Sequence, residues 1–448
     1  MRKVKDMGIM KKKMSGAQMI ILGFAAVILL GSVLLMLPVS TRDARGASFS
    51  DALFTATSAV CVTGLVVQDT ASYWSSAGQA IILVLIQIGG MGVVTLAVAL
   101  SAASGRRISL RQRSAMQESI CAPGVGGIVI LTGFILRMTL IIELLGALLM
   151  APSLCRTFGM KTGLWYSIFH SVSAFCNAGF DLMGMKEPFS SLTYFADDPV
   201  INLTIAALIV IGGIGFMTWD DVRRHGRSIS RYTMQSKVIL ATAALLIVLP
   251  AAYFFVFEFS HMPLRQRFLA SLFQSVTTRT AGFNTVNLTE MSESGLAIML
   301  LLMLTGGAPG STAGGMKTTT LAVMVSTACA VFRRRANTQF FGRRIPDNAV
   351  RTAATVMTMY IALCFGGGLM ICGMEHIALL TALYEAASAV GTVGLSLGIT
   401  PQLGAASRLV LIALMYIGRV GGLTLVFAAL PAGGCSTSRL PQEKLIVG

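Results

Sequence analysis

Hydrophobic positions in this chain come in long unbroken runs, not in the two-residue alternation of half-buried strands or the narrow stripe of a surface helix. Nearly uncharged stretches occupy Met19 to Leu37, Ala80 to Ala103, Gly124 to Ala151 (interrupted by Arg137 and Glu143), Val200 to Trp219 and Val238 to Phe257. Four more follow: Gly295 to Thr305, Thr318 to Phe332, Thr352 to Met374 and Leu409 to Leu430. Crossing the hydrocarbon of a bilayer takes about 20 helical residues. The sixth and seventh runs are too short to cross alone and read as one broken helix, so the pattern predicts eight crossings.

Composition agrees with that pattern: 54% of residues are hydrophobic and 12% charged, with a mean hydropathy of +0.75, where soluble domains carry roughly 25% charge. The chain reads as an integral membrane protein. Lys11, Lys12 and Lys13 precede the first run as in a signal peptide. That run is as long as a span, however, and ends in Leu-Met-Leu-Pro without a small-residue cleavage site, so the first helix is expected to be retained.

The net charge of +16 raises the possibility of nucleic acid, and the placement of the charges argues against it. The segments that alternate crossings leave on one side carry 23 of the 35 basic residues, while those on the other carry eight. Arg137, Arg279, Lys317 and Arg419 fall at membrane depth. By the positive-inside rule both termini are cytoplasmic, in the cytoplasmic (inner) membrane. The basic excess is topology, with a minor role at anionic lipid and none toward nucleic acid. Eight cysteines without a C-x-x-C pair and four scattered histidines imply neither a disulfide framework nor a metal centre built from these side chains.

One pattern recurs four times. ALFTATSAVCVTGL from Ala52, SIFHSVSAFCNAGF from Ser167, SLFQSVTTRTAGF from Ser271 and ALYEAASAVGTVGL from Ala382 each run from an aromatic through a Ser/Thr/Ala-rich half-helix to a glycine. The aromatics are Phe54, Phe169, Phe273 and Tyr384, and the glycines Gly64, Gly179, Gly282 and Gly394. Thr392-Val393-Gly394 looks like the backbone signature of a potassium filter, which needs four copies around an axis; the repeat supplies them within one chain. A second motif follows each copy: IGGMGVVT from Ile88, IGGIGFMT from Ile211, TGGAPGST from Thr305 and IGRVGGLT from Ile417. Each motif alone has a plain reading as small-residue helix packing; two in register four times point to a pore.

The chemistry of such a pore is backbone chemistry. A filter strips water from a cation and replaces it with carbonyl oxygens, and the required dihedrals suit glycine. The preceding half-helix also aims its negative C-terminal end at the cation. Candidate filter residues are Val62, Thr63 and Gly64; Asn177, Ala178 and Gly179; Thr280, Ala281 and Gly282; and Thr392, Val393 and Gly394, with K+ as the ion held there.

GGAPGSTAGG, residues 306–315, places five glycines and a proline inside the third repeat's crossing. At roughly 1 and 3 kcal/mol each these residues break a helix, which leaves a flexible loop beneath the filter as a gate, or else a packing kink. Candidate gate residues are Gly306, Gly307, Pro309, Gly310, Gly314, Gly315 and Lys317. Arg419 joins them: it stands where the other copies have Gly90, Gly213 and Gly307, on the face expected to line the axis. Arg137 and Glu143 are expected to face other helices, and Glu385 to brace the filter from behind.

With SAVCVTGL, SAFCNAGFDL, TTRTAGFNT, GTVGLS, GGAPGSTAGGMKTTT and GRVGGLT on the page, the chain from Gln18 to about Leu430 resembles the KtrB-type membrane subunits of the Trk/Ktr/HKT superfamily of potassium transporters. The resemblance implies an all-α fold of four parallel repeats of span, pore half-helix, filter loop and span around one ion pore. Glycine in all four filters implies potassium over sodium. The resemblance also implies a homodimer, an intramembrane gate, and a cytoplasmic RCK-type (KtrA-like) ring that binds ATP/ADP or NAD; sodium dependence stays open. The chain itself has no Walker loop, so nucleotide would act only through that partner, and no cofactor is expected in this chain. The basic loops at 105–113, 223–237 and 333–344 are the candidate docking surface.

The expected organisation is a basic N-terminus over 1–16, pore repeats over 17–104, 124–222, 236–334 and 350–430, and a tail over 431–448. An alternating-access carrier would be expected to show inverted repeats, whereas two crossings per unit make these parallel. No nucleophile–base or metal-ligand motif at membrane depth suggests an enzyme.

Overall fold

The computed structural model describes residues 15–93, 95, 110–119 and 126–429. The expected N-terminal segment, apart from its last two residues, and the 431–448 tail lie outside that range, as does most of the first basic loop.

Each repeat begins with a long apolar helix: α1 (Gly16–Leu35), α5 (Ile128–Phe158), α9 (Met234–Tyr253) and α13 (Asp347–Glu375), with α4 (Leu110–Ser119) between the first two units. A shorter pore helix follows in each: α2 (Phe49–Cys61), α6 (Met160–Phe175), α10 (Leu264–Thr277) and α14 (Leu379–Gly391). A second apolar helix completes the unit: α3 (Ser76–Met91), α7 (Pro199–Gly213) continued by α8 (Phe216–His225), α11 (Glu293–Leu304) continued by α12 (Thr318–Phe332), and α15 (Ala405–Val420) continued by α16 (Gly422–Ala429). The strand content of the described residues is one hairpin, β1 (Gln339–Phe340) with β2 (Arg343–Arg344).

Local chemistry starts several of these helices. Ser15 and Gln18 form a capping box on α1, and Ser48, Ser75, Asp198, Thr233 and Ser292 cap α2, α3, α7, α9 and α11 by accepting from backbone N–H groups of the first turn. Long helices leave leucines such as Leu140, Leu144 and Leu148 exposed, as the lipid-facing side of a bundle requires.

Packing makes the four units a ring. Each long helix lies along the pore helix of its own unit. Each second helix then packs on the pore helix of the next unit: α3 on α6, α7 on α10, α11 on α14, and α15 back on α2. The last of these contacts joins the fourth unit to the first. Arg408 at the start of α15 seals it, donating to Asp51 in the first turn of α2 at 3.0 Å.

Among the described residues four helices are unbroken runs long and apolar enough to cross a bilayer, rising to five when the pair α7 and α8, bent by 95°, is taken as one span. The remaining second helices include the shorter apolar pieces Ser76–Met91, Glu293–Leu304 and Thr318–Phe332. Val200 to Trp219 reads as a straight run, yet the chain turns between Gly213 and Phe216 because Gly215 takes a φ of +89°. Gly92 and Gly421, at +83° and +89°, end α3 and α15 at the equivalent place. The second helix is thus interrupted in every repeat, and in the third it opens into a loop.

Candidate cation pathway

Past the end of each pore helix stands a residue with left-handed backbone: Val62, Asn177, Thr280 and Thr392, with φ of +57°, +59°, +71° and +52°. Two residues later comes the filter glycine, with φ of +89° at Gly64, +69° at Gly179, +81° at Gly282 and +94° at Gly394. Left-handed φ is sterically unfavourable for the four non-glycine residues, so the surroundings must hold it. They do so identically in three repeats. The N–H groups of Thr63, Ala178 and Val393 donate to the carbonyls of Ser58, Ser173 and Ser388, each at 2.8 Å. Those of Val62, Asn177 and Thr392 donate to Ala59, Ala174 and Ala389, each at 3.1 Å. The third loop is one residue shorter and uses Ala281 to Thr277 at 3.0 Å instead.

Hydroxyls complete the cradle. Ser58 and Ser388 accept from the N–H of Gly64 and Gly394, each at 3.0 Å. Ser173 and Thr277, at the matching positions, donate to the carbonyls of Phe180 and Phe283 beyond the glycine. No single copy marks these four residues as functional. Their signal is a hydroxyl six positions before the glycine, or five in the short third copy, seen only when the copies are laid together.

The loops meet around one axis. A Cβ placed on Gly64 would fall within 2.6 Å of the Ala178 carbonyl, on Gly179 of the Ala281 carbonyl, on Gly282 of the Val393 carbonyl, and on Gly394 of the Thr63 carbonyl. The order is one, two, three, four and back to one, the same cycle as the helices. All four glycines line a single cavity of about 250 Å³, with Asp69 and Asp181 in its wall. Asp69 fastens two repeats together, accepting from Ser72 and from the N–H of Phe189.

Beneath the ring, α11 stops at Leu304 and residues 305–317 form a loop before α12. Its ends are tied by Gly306 N–H to the Met316 carbonyl at 2.7 Å. Its middle is held by the second repeat: Ala308 N–H donates to Gly213 at 2.8 Å and the Thr312 hydroxyl to Phe175 at 3.0 Å. The loop also touches the filter feet. The Asn177 amide stands 3.4 Å from the Thr312 hydroxyl, and Gly314 abuts the Thr392 side chain so closely that a Cβ has no room.

Two cations hold this loop. Lys317 donates to the carbonyls of Ala313 at 2.8 Å and Gly314 at 3.3 Å. Arg419 donates to the Thr312 carbonyl and, from its other terminal nitrogen, to Gly89 and Gly90 at the end of α3. A second cavity of about 230 Å³ is bounded by Gly90, Gly310, Gly315, Lys317, Arg419 and Gly421 among others. Arg419 thus lines this cavity as a clamp between the fourth, third and first repeats rather than as a lone charge.

Comparison with known proteins places this architecture. The model of the TrkH family, described as cation transport proteins, matches residues 3–436. The chain belongs to the TrkH family. It is 38% identical to the potassium/sodium uptake protein NtpJ of Enterococcus hirae, over 98% of each chain. It is 37% identical to the Ktr system potassium uptake protein B of Bacillus subtilis, over 95% of each. The crystal structure of the potassium transporter TrkH from Vibrio parahaemolyticus superposes with a TM-score of 0.74 at 21% identity, covering 95% of this chain and 87% of that one. The chain is thus a multi-pass membrane protein of a cation-transporting family and not an enzyme.

Within this TrkH-family fold the second repeated motif has a packing role. The first glycine of three pairs, Gly89, Gly212 and Gly418, lies against the carbonyl of Val60, Phe175 and Val390 at a pore-helix end. A side chain there would push the pore helix off the axis. Glu143 is buried, its carboxylate 4.0 Å from the Cys176 thiol. Arg137, expected to face another helix, is exposed on α5 among the described residues.

Proposed function

We propose that this chain is the membrane subunit of a potassium uptake system, conducting K+ through the four-glycine ring. The observation that carries the reading is the fourfold repetition of a left-handed residue followed two positions on by a left-handed glycine, closed into one ring. Alternating backbone handedness turns successive carbonyls to the same side, which is what replacing an ion's hydration shell demands. The relatives' names, as potassium uptake and potassium/sodium uptake proteins, support the substrate class.

Residues 306–315 with Lys317 and Arg419 are the gate. The loop lies under the filter feet, is built from residues without bulky side chains, and is held by hydrogen bonds that a small displacement would break. Both termini are cytoplasmic, the chain works as a homodimer in the cytoplasmic membrane, and a nucleotide-binding ring of another chain docks on the basic loops at 223–237 and 333–344. The Ktr "system" in the relatives' descriptions supports a second subunit. Potassium uptake into a transport-deficient cell, with and without sodium and a coexpressed cytoplasmic subunit, tests the whole. Absence of potassium uptake from cells with normal membrane levels of both subunits would overturn it.

A further inference from the structure

The residue directly after the aromatic of each pore helix occupies one structural position four times: Thr55, His170, Gln274 and Glu385. All four are buried. In the fourth repeat the Glu385 carboxylate accepts three hydrogen bonds from the segment beyond the filter: the Ser396 hydroxyl at 2.5 Å, the Leu397 N–H at 3.2 Å and the Thr400 hydroxyl at 2.9 Å. In the second repeat His170 Nε2 accepts from the Leu182 N–H at 3.2 Å. Its Nδ1 stands 2.7 Å from the Tyr166 carbonyl, which places the proton on Nδ1 and leaves Nε2 as the acceptor. Leu182 and Leu397 are each the third residue past the filter glycine. Two different side chains therefore make the same bond.

The other two repeats do not. Thr55 Oγ1 and both amide atoms of Gln274 are buried without a hydrogen-bond partner among the described residues. Since the loops follow one another around the axis in chain order, the second and fourth face each other across it. The loops braced from their own pore helix form one diagonal; on the other, the third loop is tied instead to the second repeat, where the Asn284 N–H donates to Ser191 at 3.2 Å.

We propose that Glu385 and His170 are positioning residues that hold the outer ends of opposite filter loops, so that ion discrimination rests on this diagonal and the filter is two-fold in its rigidity although fourfold in its shape. A filter discriminates against a smaller cation only if its carbonyls resist closing in on it, and a loop is held open by what the segment following it is tied to. Glu385 ties its segment by three accepted hydrogen bonds, against the one that His170 accepts. The proposal rests on the reading of the ring as a potassium filter.

The test uses the full-length chain in four variants: Glu385→Ala, Glu385→Gln, His170→Gln and, on the other diagonal, Gln274→Met. Two quantities are measured per molecule in the membrane or in detergent: rubidium uptake with its inhibition by sodium, and the shift in melting temperature that potassium produces relative to sodium. Glu385→Ala removes all three bonds and is expected to lower potassium-over-sodium preference about tenfold, the size of effect that losing a buried hydrogen-bond acceptor produces. Glu385→Gln keeps an acceptor oxygen and falls between it and wild type, His170→Gln also lowers the preference, and Gln274→Met leaves it unchanged. The potassium-specific melting shift shrinks in the same order, which a merely structural role would not produce. Should Glu385→Ala not reach the membrane, Glu385→Gln and His170→Gln decide by the same criteria. Wild-type preference in these variants, or an equal loss in Gln274→Met, overturns the proposal. If instead wild type and Gly394→Ser show no preference alike, the filter reading itself has failed.

Discussion

Arg419, one residue before the end of α15, donates to the carbonyl of Thr312 in the middle of the loop that lies under the filter, 107 residues earlier in the chain. The same guanidinium reaches Gly89 and Gly90 of the first repeat, so one side chain ties the third unit's loop to the adjacent fourth unit and to the first, opposite it in the ring. Its charge and its hydrogen bonds act in the same direction. A unit charge about 6 Å from a cation, at an effective dielectric of about 20, raises the ion's energy by about 3 kcal/mol, and the bonds keep the loop closed. Arg419→Ala should therefore raise potassium flux per molecule, and Arg419→Lys should change it less because the charge remains. Uptake normalised to protein in the membrane decides: an unchanged or reduced rate for the alanine variant would rule out both roles.

The filter glycines offer a second test. A Cβ on any of the four would meet a neighbouring repeat's carbonyl, and all four hold a φ unfavourable to other residues. Single replacements of Gly64, Gly179, Gly282 or Gly394 by Ser should each lower potassium-over-sodium preference by about tenfold or more, equivalent to ~1.4 kcal/mol. Competitive uptake measurements check this; four variants with unaltered discrimination would remove the filter assignment.

Deleting residues 308–313 removes the bonds from Ala308 to Gly213, Thr312 to Phe175 and Arg419 to Thr312 at once, while leaving the hydrogen bonds of the filter cradles in place. Flux should rise and respond less to a cytoplasmic partner. Normal membrane levels with unchanged flux would reduce the loop to a packing kink.

The Asp51–Arg408 pair closes the ring between the last repeat and the first. Arg408 also donates to the carbonyls of Leu403 and Pro401 at 2.9 Å each, and Gln68 donates to Asp51 at 3.3 Å. With both side chains largely shielded, Arg408→Ala should cost about 1.5–3 kcal/mol, the range for hydrogen bonds to charged groups. A lowered melting temperature in detergent, with selectivity intact in the surviving protein, is the expected outcome. An unchanged melting temperature would show that helix packing alone closes the ring.

Much of this molecule was legible without coordinates because it is written four times. Apolar runs the length of a bilayer specify the solvent, and a glycine recurring at fixed distance from an aromatic specifies a backbone conformation that other residues resist. The density of glycine in 306–315 likewise specifies a broken helix, since propensity is a local property. Contacts between repeats are not local, and there the sequence is silent. Nothing in IGGIGFMT distinguishes a straight crossing from the 95° bend at Gly215, because glycine permits either and packing against the 305–317 loop, where the Phe216 N–H donates to Gly310, selects one. Arg419 reads as an isolated charge until folding brings it to carbonyls more than 300 and 100 residues away. Thr55, His170, Gln274 and Glu385 align perfectly, yet that His170 and Glu385 alone of the four bond the segment beyond the glycine depends on the reach of each side chain toward a segment that only the tertiary structure puts beside it.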